Sequence, residues 1–325
     1  MKSYCNIRSI ANWFPLRKLS NTHFTKNRTA LQLSLIISAG ALLAACSSSS
    51  PSAAPHKIHK KTVSVKVIPA PKALLSAAPP QPDGSAWVLS GTSTAKTITD
   101  IDLSNGKTIS AVGIDPNADS LAESSTGILV VGIATTKTGA VQLLNSSTGA
   151  METTIPVGAP VKDLAFGSNG TTLYVLNGNT TSESITTIDT ATKKVGNTFG
   201  TSLGTISIST DPSQSAIWGL GANGTVNEQG LPNGGVAITA FPTGNPGISI
   251  TTSPTNGTVY VLKGTPAGSN IAVISPVTDA IETVLPAAAG SIALATSVNG
   301  RTLYDFVGTP SVGNIQEIAL PPSGK

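Results

Sequence analysis

Short apolar runs alternate with turn residues along most of this chain, and the alternation repeats. DGSAWVLSG at 83–91 superimposes on NGTTLYVLNG at 169–178, on NGTVYVLKG at 256–264 and on NGRTLY at 299–304, with weaker copies TGILV at 126–130 and SAIW at 215–218. The matched positions are 87, 130, 174, 218, 260 and 304, so the period is 42–44 residues. Five of the nine aromatic residues after Cys46 hold this one position (Trp87, Tyr174, Trp218, Tyr260, Tyr304), which scatter would not produce. In the clearest unit the pattern predicts strands at 172–176, 184–189, 194–199 and 205–209. Apolar and polar residues alternate within them, and Gly, Asn, Thr-Ala-Thr-Lys and Asp-Pro punctuation lies between them.

Four short strands per 40–45 residues is the spacing of a β-propeller blade. A propeller must close, because an open ring exposes a sheet edge. Five full units run from residue 83 to about 299, and 300–321 supply only the first two strands of a sixth. The segments 62–68 and 72–76 resemble the third and fourth strands of other units, so both termini share the last blade. The expected fold is therefore all-β: a six-bladed β-propeller of four-stranded blades over 62–325. Seven blades is the alternative if 62–82 folds differently.

The unit from 155 to 198 carries IPVGAP (155–160), LAFGSNG (164–170), LYVLN (173–177) and IDTATKKV (188–195). In these motifs the chain resembles the YVTN-type, WD40-like propeller repeat. The match decays elsewhere, with Val175-Leu176 in place of Val-Thr and a short, irregular fourth unit at 222–241. The resemblance implies a fold rather than an activity.

The N-terminal part reads as an address. Residues 1–45 hold six bases and no acid, and LQLSLIISAGALLAA at 31–45 is apolar or small throughout. This is the layout of a secretory signal, too short for a comfortable membrane span. It ends in Leu43-Ala44-Ala45-Cys46, which resembles the lipobox of bacterial lipoproteins. That resemblance implies cleavage after Ala45 and a lipid on the Cys46 thiol. Residues 46–61, rich in Ser, Pro, Ala and Lys, read as a flexible tether. The expected location is extracytoplasmic, anchored to a bacterial membrane by the N-terminal lipid.

Charge then narrows the partners. From Thr62 onward there are 11 bases, with Arg301 the only arginine, against 16 acids. Nucleic-acid binding needs a dense basic face, so the expected partners are the membrane and an envelope protein or glycan, not nucleic acid.

No His or Cys occurs from Thr62 onward. That removes imidazole and thiol catalysis, zinc and blue-copper sites, and histidine-held haem. Carboxylate chemistry and oxygen-ligated cations remain. Asp102, Asp189 and Asp279 recur at blade spacing beside turns between second and third strands, where the expected role is to accept nearby backbone N–H groups. The sharper alternative is a ring of carboxylates holding a cation in the axial channel, with Asp100 and Asp102 as its alternating pair. The repeated aromatics are expected between blades, in the core. The Asn-Gly pairs at 105, 169, 223, 256 and 299 are expected in tight turns. No catalytic residue and no cofactor is indicated. The expected function is a binding or scaffold module of the envelope. The alternative is a propeller enzyme of lactonase or quinone-dependent dehydrogenase type, using a carboxylate-bound cation.

Overall fold

A computed structural model describes residues 64–231, 237–265 and 268–320, with the backbone alone for 237–242. Ala45 and Cys46 lie outside the described residues.

Among the described residues every regular element is a strand, and the strands form six antiparallel sheets of four. β1 (Val65–Pro69) comes first in the chain. Blade 1 then holds β2 (Leu74–Ala77), β3 (Ser85–Gly91), β4 (Lys96–Asp102) and β5 (Thr108–Ile114). Blade 2 holds β6 (Ala118–Glu123), β7 (Ile128–Ala134), β8 (Gly139–Asn145) and β9 (Met151–Pro156). Blade 3 holds β10 (Val161–Phe166), β11 (Thr172–Gly178), β12 (Glu183–Asp189) and β13 (Lys194–Gly200). Blade 4 holds β14 (Thr205–Thr210), β15 (Ala216–Gly221), β16 (Thr225–Gly230) and β17 (Ala237–Pro242). Blade 5 holds β18 (Gly247–Thr252), β19 (Val259–Thr265), β20 (Gly268–Ser275) and β21 (Ala280–Pro286). Blade 6 runs β22 (Ser291–Thr296), β23 (Thr302–Gly308), β24 (Gly313–Ala319) and then β1 on its outer edge. The molecule is thus a six-bladed β-propeller. The first strands β2, β6, β10, β14, β18 and β22 touch their neighbours in an unbroken circle around the axis.

The strands expected at 172–176, 184–189, 194–199 and 205–209 match β11 to β14 to within one or two residues. The closure differs from the expectation in one respect. Of the two N-terminal segments only β1 enters the last blade, pairing Val65 with Ile318 through Pro69 with Asn314, while β2 opens blade 1. The sequence repeat is counted from the aromatic strand, but each sheet starts one strand earlier. The closing strand of every repeat therefore pairs with the next repeat, and each repeat straddles two blades. The irregular fourth unit still completes a full blade through β16 and β17.

The core lies between blades. Trp87, Tyr174, Trp218, Tyr260 and Tyr304 are 2–9% exposed, and each packs against the blade that follows. Trp87 meets Leu121, Leu129 and Leu144 of blade 2, and Trp218 meets Ile250, Val259 and Val261 of blade 5. Tyr304 closes the circle against Ala86, Val88 and Ile101 of blade 1. Such packing buries a large aromatic at five of the six seams, and Val130 takes the position at the seam of blades 2 and 3. The glycines of all five Asn-Gly pairs adopt positive φ, 65–80°, in the expected tight turns. The Asn side chains accept backbone N–H groups two residues on, as Asn169 does from Thr171. Gly170 also needs its bareness: a Cβ there would sit 2.7 Å from Thr126 Cγ2 of blade 2.

Candidate functional site

The antiparallel order sends the turns after each first and third strand to one end of the ring. At that end the six first strands and their turns enclose an axial cavity of about 240 Å³. Its walls are mainly Ser, Thr, Ala and Pro, with several Leu and Ile, Phe166 and the acids Glu123 and Asp163, and no lysine or arginine lines it among the described residues.

Each first strand carries a β-bulge at the same place, one residue before Ser76, Ser120, Asp163, Ser207, Ser249 and Ala293. That column forms a belt of side-chain oxygens. Ser76 Oγ accepts Leu121 N–H at 3.1 Å, Ser207 Oγ accepts Ile250 N–H at 3.3 Å and Ser249 Oγ accepts Leu294 N–H at 3.2 Å. Asp163 replaces serine in β10 and does double duty. Its Oδ2 accepts Ile208 N–H at 2.8 Å and its Oδ1 accepts Leu164 N–H at 2.9 Å. The Ser120 hydroxyl, one blade back, is left buried with no hydrogen bond among the described residues. Ala293 has no side-chain oxygen to offer blade 1, so the seam between blades 6 and 1 relies on β1 instead. There Ile68 is buried, and Lys66 pairs with Glu317 at 3.4 Å and donates to Ser104 O at 3.2 Å.

Three residues along from the belt, Thr210 and Thr296 donate to the carbonyl oxygens of Phe166 and Thr252 in the preceding blade, at 2.7 and 3.0 Å. Thr252 donates to Ser209 Oγ at 2.8 Å. Glu123 takes this position in β6. It is 5% exposed, and its Oε2 is buried with no hydrogen bond among the described residues.

Burial pushes the Glu123 carboxyl up to about 8, with the charges of Asp100 and Asp83 adding to the rise and the Gln81 amide opposing it. Burial likewise raises Asp163 to about 6, against its hydrogen bonds from Ile208, Ser207 and Leu164. Asp100 is raised by burial, with the charge of Asp83 adding to the rise, while its hydrogen bond from Ser85 opposes it.

The acids singled out in the sequence lie elsewhere. Asp102 accepts Ser104 N–H at 2.8 Å, and Asp189 accepts Ala191 and Thr192 N–H at 3.0 Å, so both are turn residues as expected. Those hydrogen bonds hold both carboxyls below the ordinary aspartate value. Asp279 is exposed in a turn, with φ of 50°. Asp100 stands on the third strand of blade 1, away from the axis. These four do not form an axial ring, because the turns that carry them join outer strands. Among the described residues no three His, Cys, Asp or Glu side chains converge as metal ligands. The donor set that a calcium-dependent propeller enzyme requires is therefore not assembled by the residues proposed for it. The repeated aromatics pack in the core and present no platform. Sequence reasoning missed Glu123 and Asp163. Aligning the fourth strand of each repeat, not only the aromatic one, would have shown one acid in each of two columns that otherwise carry no charge.

No protein-family profile and no curated protein matches the chain. Solved structures do. "Crystal structure of RRP9 WD40 repeats" superimposes with a TM-score of 0.62 at 12% identity, covering 80% of this chain and 100% of that one. "Structure of U3-55K" superimposes with a TM-score of 0.60 at 12% identity, covering 79% of this chain and 98% of that one. At that identity the likeness is one of fold, a WD40-like propeller.

Proposed function

We propose that this chain is a lipid-anchored, extracytoplasmic binding or scaffold module of a bacterial cell envelope. Leu43-Ala44-Ala45-Cys46, at the end of an uncharged apolar segment that follows a basic one, is the observation that carries the anchor and the location. The binding role is supported by a rigid closed ring whose axial cavity is walled mainly by hydroxyl, alanine and proline side chains. Ring scaffolds of this kind place function in what their ends and channel recognise. The partner class is an envelope protein or glycan, reached across the tether at 46–61.

The test is metabolic labelling of cells expressing the full chain with an alkyne fatty acid. The wild-type chain takes the label and fractionates with membrane, while Cys46→Ala stays unlabelled and is released. Equal labelling of both overturns the anchor. Cross-linking in intact cells, followed by identification of the attached species, tests the binding role. Recovery of cytoplasmic species alone overturns the envelope assignment.

A further inference from the structure

The seam between blades 1 and 2 differs from the others at the cavity end. Glu123 lines the cavity mouth and leaves Oε2 buried without a hydrogen bond. Across the seam Trp87, Asp100 and Ser110 lie side by side in register on β3, β4 and β5. Asp100 Oδ1 and Ser110 Oγ are likewise buried without a hydrogen bond among the described residues. The charges of Asp83 and Asp100 both reach Glu123, and no basic side chain lines the cavity among the described residues. Buried acceptors with nothing to accept from are costly and uncommon in native proteins. Here one such oxygen belongs to a carboxyl that lines the cavity, and another belongs to Asp100, whose charge reaches that carboxyl.

We propose that the cavity mouth at the seam of blades 1 and 2 is a binding site for a primary ammonium group on an alkyl stem, held by Glu123 with Asp100 and Asp83 supplying the surrounding negative charge. An ammonium carries three donors and no acceptor, which suits a carboxylate with an unpaired oxygen and hydroxyl neighbours. The last torsion of a glutamate is broad, so a turn of the carboxyl offers either oxygen to the cavity. The stem lies along Ala77, Pro79, Leu121 and Ala122, which line the same cavity. A metal ion fits less well, since no three acids converge there as ligands. An anion has no counter-charge among the lining residues. The proposal rests on the reading of the ring as a binding module, and not on its lipid anchor or location.

Binding of the cation requires ionised Glu123. Near neutral pH the group is largely protonated, since burial and the charges of Asp100 and Asp83 outweigh the Gln81 amide that faces it. Association therefore releases a proton, and affinity rises up to about tenfold per pH unit until the carboxyl is ionised in the free protein. The ammonium stays charged across that range.

The test is calorimetric titration of the full chain, purified in detergent, with 1,5-diaminopentane and with an N-acetylated, C-amidated Gly-Lys-Gly peptide. 1,5-Pentanediol is the neutral control. Each titration is run at pH 6.5 and 8.0, and in two buffers of different ionisation enthalpy. Expected are saturable binding of at least one amine, none of the diol, proton release at pH 6.5, and a Kd at least tenfold higher in Glu123→Gln. Binding of the diamine alone assigns a small amine, and binding of the peptide assigns a lysine side chain. Asp100→Asn, farther from the axis, weakens binding severalfold and serves where Glu123→Gln melts differently from the parent. No saturable binding of either amine, or equal affinity in Glu123→Gln and parent with no proton release, overturns the proposal. Calcium bound in place of any amine overturns it as well. None of these outcomes alters the fatty-acid labelling or the cross-linking, so this site can fail while the envelope reading stands, and the reverse.

Discussion

Two acids border the same cavity, and they are held in opposite ways. Asp163 sits in a column of serines and takes backbone N–H groups on both oxygens, one from its own blade and one from the next. Glu123 sits in the column that holds Thr210, Thr252 and Thr296, and its Oε2 takes none among the described residues. Burial raises both, Asp163 to about 6 and Glu123 to about 8. The difference in height follows the difference in surroundings: hydrogen bonds to the ionised form pull Asp163 down against desolvation, while the like charges of Asp100 and Asp83 push Glu123 up. Asp163 is a structural clamp between blades 3 and 4. Glu123 is an acid kept short of donors, and that is the condition of a group that gains from a ligand.

The comparison breaks first if the seam behind Glu123 is simply loose. Trp87 tests that, since it is 2% exposed, packs on blade 2 and donates Nε1–H to Ser146 O at 3.2 Å. In a tight seam Trp87→Ala costs about 3–5 kcal/mol, read from denaturant unfolding at fixed pH. A cost below about 1.5 kcal/mol would make the bare Oε2 a product of poor packing.

Removing the clamp comes next. Asp163→Ala strips the acceptor from Ile208 N–H and Leu164 N–H, and an orphaned buried donor costs about 1–3 kcal/mol. Asp163→Ser restores the hydroxyl that the same column uses in β14 and β18, so it recovers most of that loss. If Asp163→Ala unfolds at the same denaturant concentration as the parent, Asp163 is no clamp and the contrast with Glu123 disappears.

Glu123→Gln has the opposite sign. The folded carboxyl, at about 8, lies above its ordinary 4.5, so the native state holds the proton more tightly than the unfolded chain does. Stability from this group is then fullest below about pH 4.5 and is lost as pH rises towards 8. Asp163 has finished its own descent by about pH 6, and the residues from Thr62 onward include no histidine. Burial also raises Asp100, Glu228 and Asp305, so the difference between wild type and Glu123→Gln, not the wild-type profile alone, isolates the Glu123 share of the window from pH 6 to 8. Wild type loses about 2 kcal/mol more across it than Glu123→Gln does, at 1.36 kcal/mol per pKa unit. Parallel pH profiles for the two proteins would show that Glu123 titrates like any surface glutamate.

The fold was legible because one register position, recurring every 42–44 residues and aromatic in five of six copies, is also the position that each seam buries. Blade number and the sharing of the last blade follow from that count. The phase of the blades does not, because a repeat can be cut anywhere along its period, and only pairing shows that β14 belongs with β15. The cavity acids were harder to see. Glu123 and Asp163 are the acids in columns that otherwise hold Ser and Ala, or Thr, Pro and Phe, and their effect depends on which oxygens find a donor. Asp102 and Asp189 drew attention by recurring at blade spacing, but recurrence in a turn marks the turn.

The smallest expected effect sharpens what separates a buried acid from an exposed one. Lys66 and Glu317 pair at 3.4 Å across β1 and β24, with side chains 53% and 32% exposed. Pairs of this kind contribute about 0–1 kcal/mol, because water screens them and two long side chains lose freedom to meet. Lys66 also reaches Ser104 O of blade 1, so it spans the seam that Ala293 leaves without a side-chain acceptor. The seam has better support in the backbone ladder from Val65 to Pro69 and in buried Ile68. Lys66→Ala therefore costs under about 1 kcal/mol, and the cost shrinks further in 1 M salt, measured by denaturant unfolding. A loss above about 2 kcal/mol that salt does not reduce would mean that the closing strand is held by this one charge.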